Sequence, residues 1–202
     1  MRTTSTRSRR SGEPTAASSA VTRRRTRRCE RAVVTGERHP DVAVCYLIRR
    51  GPSGDEVLVG RKLTGLGAGR AVGPGGKLAQ GESPSEAVVR EVREETGIEL
   101  DVSSLEARGV LRYSFPTKPE WSQRSFVFVC RSFTGEGAAS DELLPEWWPV
   151  AAPPFDRMWD DARFWLPDVL AGGTVHASFE FGPDLSTVVA SDHEAFPAGR
   201  PT

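Results

Sequence analysis

The chain has 202 residues, 38% of them hydrophobic and 27% charged, enough for one globular domain with a substantial core. No apolar run nears the roughly 20 residues of a membrane-spanning helix and none follows the N-terminus as a secretory signal requires; Cys29, Cys45 and Cys130, with no C-x-x-C pair, exclude a zinc ribbon or disulfide scaffold and suit a reducing cytoplasm. The net charge of zero conceals a split: ten arginines against Glu13 and Glu30 give residues 1–31 a balance of +8 and leave −8 on the rest, a body ill suited to duplex nucleic acid and suited to loading a cation.

Residues 1–38 read as a disordered tail, rich in Arg, Ser and Thr and too poor in apolar side chains to offset their ordering entropy. The run Arg23-Arg24-Arg25-Thr26-Arg27-Arg28 offers weak contact to nucleic-acid phosphates, the stretch also has the composition of a transit peptide or an arm for an acidic partner, and a solvated tail is the simplest reading. A folded domain is expected over residues 39–190, with a second tail at 191–202. Residues 42–48 read as a buried strand, 52–55 as a turn and 56–62 as the hairpin partner. A glycine-rich loop follows from Gly65 to Gly76. A helix is expected at about 84–96, strands near 107–115 and 124–133, a second helix over 157–171 kinked at Pro167, and strands over 174–182 and 185–190. Mixed strands with two helices make this an α+β chain.

The helix at 84–96 is marked at both ends. Ser83 stands at the N-cap, Pro84 at the first helical position and Glu86 at the capping-box offset, while Gly97 suits the left-handed position after the last turn. At about 100° per residue, Glu91, Glu94 and Glu95 share one arc beside the apolar arc of Val88, Val89 and Val92. Like charges at these spacings repel, and a hard divalent cation reverses the sign of that repulsion. Taken alone, Glu-x-x-Glu-Glu reads first as a solvated acidic stripe, since Glu-rich helices are common.

The wider pattern is more specific. Gly76, five residues, Glu82, seven residues, then Arg90-Glu91-Val92-x-Glu94-Glu95-x-Gly97-Ile98 meets every defined position of the Nudix box, and the chain resembles the Nudix hydrolases. Over residues 41–190 it is similar to the MutT-type oxidised-purine nucleoside triphosphate diphosphatases of animals, through Gly65-x-Gly67-Ala68-Gly69-Arg70, Gly73-x-Gly75-Gly76-Lys77, Ser140-Asp141-Glu142, Phe155-x-x-Met158-Trp159 and Phe164-Trp165-Leu166-Pro167. The resemblance implies an α/β/α sandwich around a mixed sheet and a Mg²⁺-dependent hydrolysis, with Mn²⁺ as substitute, of a nucleoside triphosphate such as 8-oxo-dGTP to the monophosphate and pyrophosphate. It implies a cytoplasmic monomer whose partner is the nucleotide, with no membrane and at most weak nucleic-acid contact through the tail.

It also implies roles. Glu91 and Glu95 match the principal metal ligands, Glu94 a ligand or the base, the Gly75 carbonyl a backbone ligand, and Glu142 a loop carboxylate that completes the metal site. Arg90 matches a residue that orients a helix carboxylate, and Glu82 a structural one. Lys62 matches a substrate-facing lysine, Trp159 a face on which a purine stacks, and Asp161 a carboxylate that reads the base, with Asp160 in reserve; a helix N-cap is the plainer role for that pair. Two positions depart: Val72 stands where the branch has a base-reading Asn, and Ala162 where it has a second Asp, so weaker selectivity is expected. The competing readings are a Nudix hydrolase of ADP-ribose or dinucleoside polyphosphates, and a non-catalytic nucleotide-sensing module.

Overall fold

In the computed structural model of the chain, which describes residues 39–197, the apolar strand expected at 42–48 is the spine. The order is β1 (Asp41–Gly51), β2 (Gly54–Lys62), β3 (Ala71–Val72), β4 (Gly75–Lys77), α1 (Pro84–Thr96), β5 (Glu99–Leu100), β6 (Leu105–Ser114), β7 (Gln123–Cys130), β8 (Phe133–Thr134), β9 (Leu143–Pro149), α2 (Ala162–Leu170), β10 (Val175–Phe181) and β11 (Val188–Ser191). The main sheet runs β11-β10-β6-β7-β1-β2-β3, with β4 also on β1 and β9 also on β2; β5 and β8 form a small separate pair. β1 runs parallel to β7 and β6 parallel to β10, and the remaining pairs are antiparallel.

Side chains along a strand alternate between the two faces, and both faces of this sheet are covered. Ala43, Cys45 and Leu47 of β1, with Leu58, Phe128 and Cys130, pack against Ala87, Val88 and Val92 of α1. Tyr46 and Ile48, with Val57, Val59, Val127 and Val129, pack on the other side against Trp165, Leu166, Val169 and Leu170 of α2. The expected sandwich is therefore present, one helix on each face. α1 has the expected bounds: the Ser83 hydroxyl accepts from Glu86 N–H, the Glu86 carboxylate accepts from Ser83 N–H, and Gly97 closes the helix at φ 69°.

Four expectations change. No element is expected over 143–149, yet β9 pairs there with β2 along its whole length. α2 begins at Ala162 rather than 157, because residues 153–161 make successive tight turns, and Pro167 lies inside the helix. β11 starts at Val188, since Leu185 takes a positive φ of 58° in the preceding turn. The domain continues past 190: the Asp192 carboxylate accepts from Ser178 N–H, and Phe196 packs edge-on to Phe164. The expected tail at 1–38 lies outside the described residues. Among those described, no helix is long and apolar enough to cross a membrane.

Candidate active site

The second half of α1 delivers its carboxylates to one end of the sheet. Glu95 is 3% exposed; it accepts from Gly75 N–H at 2.9 Å and from the Lys62 ammonium at 3.2 Å. Burial pushes its carboxyl above the usual range, against the opposing pull of the Gly75 N–H and of Lys62. Only glycine fits at 75, where φ is 152° and a Cβ would strike the Ala43 carbonyl of β1; at 76 a Cβ would run into the Glu91 carboxylate. The Gly75-Gly76 pair thus lets β4 lie flat on β1 while α1 closes over it.

Arg90 organises the remaining carboxylates. It grips Glu82 with Nε and Nη2, each at 2.9 Å, reaches Glu91 at 2.8 Å and Glu94 at 3.0 Å through Nη1, and donates to the Lys77 carbonyl at 3.1 Å. These bonds, with the Ala79 N–H, hold the Glu82 carboxyl at about 2. Glu82 thereby pins the 77–82 loop to the helix, and Arg90 acts on the carboxylates of its own helix.

The opposite wall is the turn before β9. Leu63 N–H donates to the Glu142 carbonyl at 2.8 Å, and the Ser140 hydroxyl accepts from the N–H groups of Glu142 and Leu143. Glu91, Glu94, Glu95, Ser140, Asp141 and Glu142 line an open cleft of about 220 Å³. The four glutamates expected to meet there do so, and Asp141 joins them. Among the described residues no three such side chains already converge as a ligand set; Glu91 and Glu94 are turned toward Arg90, and Glu95 toward Lys62 and Gly75. The donors are all hard oxygens and the wall carries five carboxylates, the chemistry that a Mg²⁺-type cation fits.

The glycine-rich loop links this cleft to an aromatic site. Lys62 N–H donates to the Arg70 carbonyl and Gly69 N–H to the Lys62 carbonyl, so the loop hangs from the end of β2. The Arg70 guanidinium lies 4.1 Å over the Trp159 ring and donates to the Met158 carbonyl (3.1 Å) and the Ser186 hydroxyl (2.6 Å). Trp159 is half-buried, with Phe181, Phe115 and Trp121 at steep angles around it. Trp159, expected to offer a free face, therefore has one face taken by Arg70. Lys62, expected to face substrate, is found on Glu95 at the cleft.

Asp161 occupies the N-cap position of α2 but makes no capping bond. It is 2% exposed, and its Oδ2 accepts from the Tyr113 hydroxyl at 2.9 Å and from the Trp165 indole at 2.7 Å, while Oδ1 is buried with no hydrogen-bond partner. Burial pushes this carboxyl up to about 6, opposed by the Trp165 and Tyr113 donors. Asp160 is no reserve reader: it binds Arg163 at 2.8 Å and Val188 N–H at 3.0 Å, tying α2 to β11. Val72 lies in β3 opposite Gly60, and Ala162 is buried in the first turn of α2; neither supplies a polar contact. Arg70, Tyr113, Trp121 and Asp141 were assigned no role from sequence. Arg70 and Asp141 lie within the matched motifs, whereas Tyr113 meets only partners far along the chain and Trp121 reaches Trp159 across 38 positions.

The model of the NUDIX domain matches residues 37–169. A relative from Danio rerio named oxidized purine nucleoside triphosphate hydrolase is 35% identical over 125 residues, covering 62% of this chain and 78% of the relative. Its namesake from Mus musculus is 32% identical over 134 residues, covering 66% and 83%. Among solved structures, the Mutator MutT protein of Bacillus halodurans superposes with a TM-score of 0.63 at 26% identity, over 78% of this chain and 99% of that one.

Proposed function

The chain belongs to the Nudix family, and on that premise we propose that it hydrolyses oxidised purine nucleoside triphosphates, such as 8-oxo-dGTP, to the monophosphate and pyrophosphate, removing them from the nucleotide pool. The observation that carries this reading is the cleft of five carboxylates joined by the glycine-rich loop to a half-buried aromatic site holding one buried, unsatisfied carboxyl oxygen. The first suits a cation with a phosphate chain, the second a purine.

Glu91, Glu95 and Glu142 would hold Mg²⁺ or Mn²⁺ with the Gly75 carbonyl as a backbone ligand, and Glu94 stands beside them. The cation, when bound, supplies Lewis acidity toward phosphate oxygens and water. Arg90 keeps Glu91 and Glu94 in register. Glu94, bonded to Arg90 and at 55% the most exposed of the three helix carboxylates, serves as a ligand or as the base that accepts a proton from the attacking water. Lys62 offsets the buried charge of Glu95 and brings an ammonium to the phosphates. Trp159 offers its remaining exposed ring surface for stacking, and Asp161 Oδ1 accepts from the N7–H that 8-oxoguanine carries and guanine lacks. The protein acts as a cytoplasmic monomer, with residues 1–38 dispensable for catalysis.

Product analysis over a panel tests this. With 8-oxo-dGTP, dGTP, ADP-ribose and a dinucleoside polyphosphate, 8-oxo-dGTP should turn over with the highest kcat/KM and release pyrophosphate. A higher value for ADP-ribose or the dinucleotide would replace the reading with hydrolysis of nucleotide conjugates. No turnover of any compound with either metal would leave a sensing module.

A further inference from the structure

Asp161 and its neighbour Asp160 share a short turn and differ in one respect. Asp160 uses both carboxylate oxygens within the fold, Oδ1 on Arg163 and Oδ2 on Val188 N–H. Asp161 receives both of its donors on a single oxygen, and they come from different elements: Tyr113 from β6, on the sheet, and Trp165 from α2, one helical turn on. Capping carboxylates such as Asp101 also take two donors on one oxygen, but they are exposed and water serves the other, whereas Asp161 is buried. Two donors from two directions onto one oxygen fix the plane of the carboxyl and leave the second oxygen unmade, although it is buried.

We propose that Tyr113 is a positioning residue for base recognition: with Trp165 it occupies one oxygen of Asp161, so that Oδ1 is presented in a single orientation as the free hydrogen-bonding atom of that carboxyl. The inference rests on Asp161 contacting the base. Tyr113 is suited to the part because its ring is held on its own account, stacked on Phe179 at 6.3 Å and tilted against Phe181 at 6.2 Å. Its hydroxyl is thus delivered by packing, and Asp161 does not have to hold it. Removing that hydroxyl and nothing else leaves one donor on Oδ2 and frees the carboxyl to rotate. Because Tyr113 and Trp165 stabilise the ionised form, losing either moves the Asp161 titration upward; the titratable groups acting on it are Tyr113, Tyr46 from β1 and Asp160.

The test uses the full chain with Tyr113→Phe, which keeps the ring. The Asp161 carboxyl is followed by carbon NMR, its signal assigned with Asp161→Asn, and the affinities of 8-oxo-dGMP and dGMP are measured across the same pH range. The expected result is an upward move of the Asp161 midpoint, a matching move in the pH dependence of 8-oxo-dGMP binding, and a preference over dGMP reduced about 3- to 10-fold, as loss of one hydrogen bond's worth of orientation predicts. In turnover KM should rise while kcat holds. If Tyr113→Phe does not fold, Trp165→Phe removes the other donor from the same oxygen and the same shifts are expected. An unmoved Asp161 midpoint overturns the proposal and leaves Asp161 as the base reader. A moved midpoint with unchanged nucleotide binding and preference overturns the proposal and also removes Asp161 from base recognition.

Discussion

The carboxylate cleft and the aromatic site are built on opposite physical principles. The cleft is open and polar, and its members hold one another: Arg90 binds Glu82, Glu91 and Glu94, and Lys62 and Gly75 bind Glu95. The three helix carboxylates Glu91, Glu94 and Glu95 thus rest in a charge-compensated state from which an incoming cation displaces internal partners. The aromatic site is half-buried and held by ring packing and the Arg70 guanidinium, and its one buried carboxyl keeps an unmade bond. A site that compensates itself is prepared for a strongly bound ion. A site that leaves an atom unsatisfied is prepared to discriminate, because a ligand lacking the matching group leaves that cost in place.

If the two regions do separate work, changes in them should separate kinetically. Glu95→Gln should lose at least about 10²-fold in kcat, since it removes a buried ligand or base, while excess chelator abolishes activity that Mg²⁺ or Mn²⁺ restores. Full activity in excess chelator would break the account of the cleft. Arg70→Met should raise KM for 8-oxo-dGTP by about 10-fold with a smaller change in kcat, because it releases the Trp159 ring and the 182–187 turn from one anchor; steady-state kinetics decide, and a loss confined to kcat would place Arg70 with the cleft instead.

Burial pushes both Glu95 and Asp161 upward, and Asp161→Asn isolates the share that lies outside the cleft. The folded-state carboxyl of Asp161 stands at about 6, above the ordinary carboxylate range. The folded state therefore keeps this proton longer than the unfolded chain, so its contribution to stability is fully present below about pH 4 and is lost as pH rises through about 6. Asp161→Asn should gain on the order of 2–3 kcal/mol relative to wild type between those limits and about pH 8. Urea unfolding at both ends of the range checks this, and a pH-independent difference contradicts it. The smallest effect belongs to the basic tail: a chain starting at Arg38 should fold and keep its kcat, and failure to fold would place the tail within the domain.

The cleft was legible from sequence because its information is local. Glu82 through Gly97 is one capped helix with its preceding loop, and the i, i+3, i+4 spacing puts three carboxylates on one arc without knowledge of the sheet. The aromatic site was legible only in part. Tyr113 meets Asp161 across 48 positions and Arg70 meets Ser186 across 116, and no local pattern signals either contact. Helical spacing from Arg157 onward likewise concealed the turns that place Trp159 and Asp161, since those turns are set by packing against Phe115 and Phe181. β9 carries Pro145 and Pro149, which depart from a strand pattern; it pairs with β2 on one side alone, where an edge strand tolerates proline.

The most direct test of the division between the regions is kcat/KM for 8-oxo-dGTP and for dGTP in wild type, Asp161→Ala and Glu95→Gln, with Mg²⁺ saturating. Wild type should prefer 8-oxo-dGTP, though by less than an enzyme retaining an Asn at position 72 and a second Asp at 162. Asp161→Ala should bring the ratio of the two substrates toward one while dGTP turnover stays within about 3-fold of wild type, the scale of a contact that dGTP does not use. Glu95→Gln should lower both values together and leave the ratio unchanged. A ratio that survives Asp161→Ala, or one that Glu95→Gln alters, would contradict the separation of phosphate chemistry from base selection.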